Sequence, residues 1–201
     1  MLQKSPTLIN GTRIRLRDWL AEDVSIFEEW QKPGHLWQTL DGPYYRSETD
    51  DSRRLAEELG AKVDSKDFPD PRTRLVIADG ETNCIYGTVS TYWESKETNW
   101  LCAGIILYDP RNWGKGLGYE AMGLWIDYLF RSYPAIVRLD MRTWSGNTGL
   151  MALARKLGFA QEACFRKARF VNGEYYDGLG YGILKTEWKD LHPKGFGLIR
   201  R

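Results

Sequence analysis

The chain has little from which to build covalent or metal staples. Its 201 residues hold three cysteines, Cys84, Cys102 and Cys164, an odd and widely spaced set with no C-x-x-C. Only two histidines, His35 and His192, are present, so a zinc site would run short of ligands and no metal centre is expected. The cysteines read as small buried hydrophobes in a reduced, cytoplasmic protein. Long apolar runs are missing too. No window approaches the ~18 uncharged apolar residues of a membrane span, and residues 1–10 lack the apolar stretch of a signal peptide. Nor is there an excess of one charge: 28 basic and 27 acidic side chains leave a formal +1. That balance argues against a nucleic-acid surface or a polybasic membrane anchor.

What is plentiful is apolar and aromatic. At 42% hydrophobic, the chain can bury one full core, so a single domain over residues 1–201 is expected. Nine tryptophans and eleven tyrosines predict a core or a cleft faced with flat rings.

Periodicity gives the elements. Residues 12–18 alternate Ile14 and Leu16 with Arg13, Arg15 and Arg17, the pattern of a half-buried strand. Residues 21–30 space Val24, Phe27 and Trp30 as one helical face, opened by Glu22 and Asp23. Residues 31–47 read as loop, 48–59 as a helix stopped by Gly60, and 61–73 as a surface connection. Strands follow at 75–78 and 85–89, joined as a hairpin, and a polar turn at 95–99 leads to 100–108. That last run is apolar on both faces, which places it mid-sheet. A helix to about Phe130 carries Met122, Trp125, Ile126 and Leu129 as its stripe. Beyond it come a strand at 135–144, a helix at 148–157 ended by Gly158, and a hairpin of 161–170 and 174–184 turning at Asn172-Gly173.

Chemistry concentrates between residues 111 and 118. A central strand ends, a loop with Gly114, Gly116 and Gly118 follows, and a helix begins. Free amides in a helix's first turn, together with its dipole, form an anion site, and glycines let the backbone approach closely. Arg111 and Lys115 are expected to add positive charge, so a phosphate or pyrophosphate is the natural guest. A Walker-A loop fails because Gly116 follows Lys115, and the dinucleotide fingerprint fails because Tyr119 stands where its third glycine belongs. The pattern that fits is R-x-x-G-x-G.

With Arg111, Asn112, Trp113, Gly114, Lys115, Gly116, Leu117 and Gly118 in this register, the chain resembles the GNAT superfamily of acetyl-CoA-dependent N-acetyltransferases. Two further blocks agree. Asn147, followed ten residues later by Leu157-Gly158-Phe159, resembles the family's downstream signature, and 166–177 is similar to the closing hairpin of RimJ/RimL-like members. The likeness spans about 12–190. It implies an α+β fold with a mixed, mostly antiparallel sheet, flanking helices, and two parallel strands, 100–108 and 135–144, that splay apart. The cofactor's pantetheine would pair with the exposed edge at Ile105, Ile106, Leu107 and Tyr108, and its pyrophosphate would meet the glycine loop. Trp113 would shield the phosphates or simply pack, and Asn147 would cap its helix and contact coenzyme A. Of Trp19, Trp30, Trp37 and Trp93, one or two are expected at the acceptor cleft and the rest in the core, with His35 solvated.

The resemblance implies acetyl-CoA and a primary amine as partners, with a homodimer as the candidate assembly. The amine would attack the thioester directly in a ternary complex, and an alkylammonium of pKa about 10.4 must first lose a proton. Glu94 is the candidate base, with Glu97 and Asp177 in reserve. The sequence departs from the family at the acid: Ala154 stands in the usual tyrosine position and Leu150 in that of the RimL-like serine. This departure keeps open a coenzyme-binding sensor without catalysis, and the loop alone keeps open an ATP-binding regulator.

Overall fold

Every segment read as a strand forms one, and additional elements join them. The computed structural model describes residues 8–43 and 49–196. The chain runs β1 (Leu8–Asn10), β2 (Ile14–Arg17), α1 (Ala21–Gln31), a 3-10 turn at Leu36–Thr39 and α2 (Thr49–Ser65). Strands β3 (Arg74–Asp79), β4 (Ile85–Ser95) and β5 (Trp100–Leu107) follow as a meander. A 3-10 turn at Pro110–Asn112 leads to α3 (Leu117–Ser132), β6 (Arg138–Trp144) and α4 (Thr148–Lys156). The hairpin β7 (Ala160–Val171) and β8 (Glu174–Leu184) precedes α5 (Lys185–Leu191).

The eight strands form one sheet in the order β1-β2-β3-β4-β5-β6-β8-β7. All neighbours are antiparallel except β5 and β6, whose parallel ladder spans only Leu101↔Leu139 and Cys102↔Asp140. Both faces of the sheet's centre are covered. Leu75, Ile77, Val89 and Leu101 pack with Met122, Trp125 and Leu129 of α3. On the other face Val76, Ala78 and Tyr108 pack with Trp19, Phe27 and Trp37, beside α1 and α2. Trp125 is fully buried, and its indole N–H donates to the Ser90 carbonyl at 2.9 Å, so no polar atom of the ring is stranded.

Several expectations are corrected. Helix α2 does not stop at Gly60 but runs to Ser65, because Leu55, Leu59 and Val63 continue one apolar face onto the second core cluster. Gly60 itself faces Val24 of α1, where a Cβ would lie 3.8 Å from Cγ1, an ordinary contact. The proposed helix start at Glu48 lies outside the described residues, as do residues 1–7 of the segment examined for a leader. Strand β6 begins at Arg138, three residues later than expected; Ile136 is buried in the core ahead of it, while Val137 is exposed. Neither β1 nor α5 is apparent in the periodicity, since three residues and one anchoring ring (Trp188, buried) carry too little pattern. Only Cys102 is buried; Cys84 lies in a turn and Cys164 on the edge strand β7, and both are exposed. His35 is half-buried, with Nε2 2.8 Å from the Glu29 carbonyl and its ring against Trp30.

Two buried ion pairs fix α1 and the loop before β3 to the sheet. Asp23 in the first turn of α1 accepts from both terminal nitrogens of Arg17, at 2.6 and 2.9 Å, and from the Leu20 amide at 2.8 Å. Arg17 also donates from Nε to Asn83 in the β3–β4 turn at 2.9 Å. Asp18 receives Arg72 through two bonds of 2.7 and 3.0 Å. Removing one partner leaves the other charge buried and uncompensated. Asp23→Ala is therefore expected to lower the unfolding free energy by about 3–5 kcal/mol in urea titrations. The solvent-exposed pair in Glu57→Ala should change it by less than about 1 kcal/mol.

Candidate active site

The site begins where β5 and β6 part. Past Cys102 and Asp140 the two strands diverge, and a cleft of about 870 Å³ opens between them. Along β5 the Tyr108 amide donates to the Tyr86 carbonyl at 3.0 Å, so Tyr108 and, by alternation, Ile106 turn their peptide groups toward β4. Ile105 and Leu107 turn theirs toward the cleft. The Leu107 carbonyl is already taken, since the Trp113 indole N–H donates to it at 2.9 Å. The Leu107 N–H and both peptide groups of Ile105 face the cleft, and Ile105, Ile106 and Leu107 all border it.

The loop beyond β5 is shaped by local chemistry. Asp109 caps the Pro110–Asn112 turn by accepting the Arg111 amide at 2.9 Å. Gly114 and Gly116 take φ of +70° and +81°, a region that suits glycine, and α3 starts at once with Gly116 as its cap. Gly118 is already inside α3, where a Cβ would lie 3.6 Å from the Ile105 and Leu107 side chains. Asn112, Trp113, Gly114, Gly116 and Gly118 border the cleft. The second clamp on this loop comes from β2 and α3. Buried Glu120 accepts from the Thr12 amide, from the Arg13 amide at 2.9 Å and from Arg13 Nε at 3.3 Å. Arg13 then donates to the Lys115 carbonyl at 2.7 Å.

Four of the residues singled out in the sequence do not border the cleft. Arg111 is turned back onto Asp109, with Nε 2.9 Å from Oδ2, and this pair holds the Asp109 carboxyl below its usual range. The Lys115 side chain is exposed on the outside of the loop. Tyr108 is buried, stacked on Trp30 at 5.8 Å with Trp37 edge-on at 5.7 Å, and Leu117 belongs to the core. Lys156 of α4 borders the cleft, with Nζ 4.7 Å from the Tyr119 ring centre, while Arg13 stands beside the loop but is paired with Glu120 and does not border the cleft. Lys156 falls just outside the apolar stripe of its helix, and no local motif marks it.

The remaining walls come from distant elements. Asn147 caps α4 by accepting the Leu150 amide at 3.0 Å, and its Nδ2 donates to the Leu40 carbonyl at 3.2 Å. Trp144 Nε1 donates to the same carbonyl at 3.0 Å. Together they pin the segment of Trp37, Leu40, Asp41 and Gly42 over the cleft. Of the four tryptophans considered, only Trp37 borders it; Trp19 is buried, Trp30 packs on Tyr108 and Trp93 on Tyr133. Glu94 borders the cleft with Arg142 at 3.4 Å, and the Cys102 thiol lies 3.9 Å from its other oxygen. Burial pushes that thiol up to about 11 and also raises the neighbouring Tyr92 phenol, which borders the cleft as well. Glu97 bonds Ser95 in the exposed β4–β5 turn, and Asp177 accepts the Lys167 amide at 2.8 Å; neither reaches the cleft. Ala154 is buried, and Leu150 presents only an apolar side chain. Among the described residues no group of three or more His, Cys, Asp or Glu could hold a metal, and no helix is long and apolar enough to cross a membrane.

The double role of Asn147 is testable. Asn147→Ala removes a cap and one of two bonds to Leu40, and should lower stability by about 1–2 kcal/mol. Amide exchange across residues 36–42 should accelerate with it, and unchanged exchange there would show that Trp144 alone holds the segment.

Comparison with known proteins agrees with this geometry. A family model described as acetyltransferase (GNAT) domain matches residues 13–160. The SPbeta prophage-derived uncharacterized N-acetyltransferase YokL of Bacillus subtilis strain 168 is 24% identical over 92% of this chain and 98% of its own. A GNAT-family acetyltransferase from Bacillus anthracis superposes with a TM-score of 0.70 at 18% identity, covering 90% of this chain and 100% of that one. The ribosomal L7/L12 alpha-N-protein acetyltransferase RimL, in complex with coenzyme A, does so with a TM-score of 0.64 at 18% identity, covering 89% and 98%. The match over 13–160 takes in β2 through α4, including the β5 edge, the glycine loop and Asn147 of the cleft, and the chain belongs to the GNAT family of acetyltransferases.

Proposed function

We propose that this protein transfers an acetyl group from acetyl-CoA to a primary amine by direct attack within a ternary complex. The observation that carries this reading is the open edge of β5 running into a loop of two positive-φ glycines at the start of α3. Such an edge offers peptide groups to an extended amide chain, and such a loop offers amides to a diphosphate. Both border one cleft. Ile105 and Leu107 would pair with pantetheine. Asn112, Gly114, Gly116 and Gly118 would face the phosphates, with Lys156 adding positive charge from the α4 side and Arg111 and Lys115 from the loop. Trp113 leaves its indole N–H on the strand and its ring at the cleft wall. Asn147 completes the wall at the α4 end. We assign residues 12–190 to one acetyltransferase unit and, from its free thiols, place it in the cytoplasm.

The chemistry asks little of any single side chain. Holding amine and thioester together can supply roughly 7–11 kcal/mol of the barrier. The amine must shed its proton, and Glu94 is the carboxylate at the β4 end of the cleft that would receive it, directly or through water. A thiol with a pKa of about 8.5 leaves with modest help, so the alanine at 154 does not prevent turnover. The RimL likeness makes a protein N-terminus one acceptor class and a small amine the other.

Incubation with acetyl-CoA and an amine panel, reading free thiol, tests the assignment. Thiol release that depends on amine is expected, and tight coenzyme binding without release from any acceptor would mean a sensor instead. Gly114→Glu places a carboxylate in open space beside the loop amides. It should weaken coenzyme A binding by about a hundredfold or more in calorimetry, because a fixed anion would confront the diphosphate. Preference for ATP over coenzyme A in the same titration would overturn the reading.

A further inference from the structure

The β1–β2 turn and the head of α3 meet in a close-fitting joint. Glu120, buried in the first turn of α3, accepts from the Thr12 and Arg13 amides and from Arg13 Nε. A Cβ at Gly11 would strike Glu120 Oε1 and lie 2.9 Å from the Ile14 carbonyl oxygen, so this approach needs glycine. With its Nε held by Glu120, Arg13 donates from Nη1 to the Lys115 carbonyl at 2.7 Å. Its Nη2 stands 3.1 Å from where a Cβ of Gly116 would be.

That hydrogen bond sets the direction of a donor on the far side of the same peptide. Among the described residues the one cis peptide bond is Asp70-Pro71, so the bond from Lys115 to Gly116 is trans. In a planar trans peptide the C=O and N–H point opposite ways. The Lys115 carbonyl points at Arg13, and the Gly116 N–H therefore points away from it. Gly116 borders the cleft and Arg13 does not. Among the described residues no protein group accepts from that amide. Glycine at 116, with φ at +81°, also allows the peptide to turn over and put its carbonyl in the amide's place. An anion would then meet a partial negative charge where a donor had been.

We propose that Arg13, anchored by Glu120, is a positioning residue for coenzyme A: it holds the 115–116 peptide so that the Gly116 N–H is presented to the diphosphate. This rests on the acetyl-CoA reading above. It adds two residues that act through the loop backbone, neither of which borders the cleft.

Coenzyme A and pantetheine form a suitable pair of probes, since pantetheine keeps the amide arm and lacks the diphosphate. In Arg13→Gln the calorimetric Kd for coenzyme A should rise about tenfold or more, as for a lost hydrogen bond to a charged group. The Kd for pantetheine, followed by NMR titration, should stay as in the unmodified protein. Arg13→Lys should recover part of the coenzyme A affinity, because its ammonium can pair with Glu120 or reach the Lys115 carbonyl but not do both. Combining Arg13→Gln with Glu120→Gln removes the carboxylate's charge as well, and binding should stay as weak as in Arg13→Gln. Recovery in that double variant would mean that an unpaired Glu120 merely repels the diphosphate, and would overturn the proposal. An equal loss for both ligands, or none for coenzyme A, would do the same. These titrations need no turnover. Coenzyme A binding without thiol release from any amine defeats the transfer reading and leaves the test of Arg13 in force, whereas no coenzyme A binding to the unmodified protein overturns both.

Discussion

The separation of β5 from β6 after two residue pairs is the constraint on which the rest of the molecule depends. Each strand is fully engaged on its other side: β5 pairs with β4 from Trp100 to Leu107, and β6 pairs with β8 from Arg138 to Trp144. Neither can therefore slide across to close the gap without losing an existing ladder. A buried peptide group without a partner costs about 1–3 kcal/mol, so an unpaired inner edge persists only where water or a ligand reaches it. Trp113 meets part of this need by covering the Leu107 carbonyl. The remaining groups at Ile105 and Leu107 are left for whatever occupies the cleft.

The surrounding elements keep that gap in shape. Gly116 can take its left-handed turn at the head of α3 because Glu120 and Arg13 tie the loop to the β1–β2 connection. The Arg17–Asp23 and Arg72–Asp18 pairs set α1 and the loop before β3 against the sheet. The chain leaving α1 then crosses to the far side of the gap and is fastened to Trp144 and Asn147. Ends of β5, β6, α3 and α4 and the segment after α1 thus converge on one cleft although they are far apart in sequence. This is the usual place for function in a sheet whose strand order breaks.

How much of this was legible in the sequence depended on the range of the interactions. The glycine loop is local: a strand end at Leu107, two left-handed glycines and a helix start at Leu117 follow one another directly along the chain, so the sequence alone exposes it. The apolar run at 100–108 showed a central strand for the same reason, because burial on both faces leaves no alternation. Arg111 is placed differently from expectation in this structure, where Asp109, two residues away, holds its exposed guanidinium. Gly60 does not end its helix because the apolar face of Leu55, Leu59 and Val63 continues past it onto the second core cluster. Lys156, Tyr92, Arg142 and Asp41 carry no motif; they become neighbours only when the sheet is assembled. Exposed Cys84 and Cys164 show the limit of residue-type averages against the position of a turn and an edge strand.

The alanine at position 154 also bears on where protons can move. Ala154 is fully buried on the α4 face that packs with Leu150, Leu153 and Leu157, so that helix offers the cleft apolar surface and an asparagine cap. A ring there would have to displace core side chains, which is a packing cost of about 1–3 kcal/mol before any catalytic gain. Apart from Lys156 at the end of α4, the titratable groups along the cleft lie on other elements: Tyr92 and Glu94 on β4, Arg142 on β6, Arg169 on β7, Asp41 after α1 and Tyr119 in α3. Tyr92, Glu94 and Arg142 form a connected set, joined through the Cys102 thiol and the 3.4 Å ion pair. Among the described residues, the ionisable groups facing the cleft therefore gather mainly on the β4–β6 wall, with Ala154 and Leu150 leaving the middle of α4 apolar.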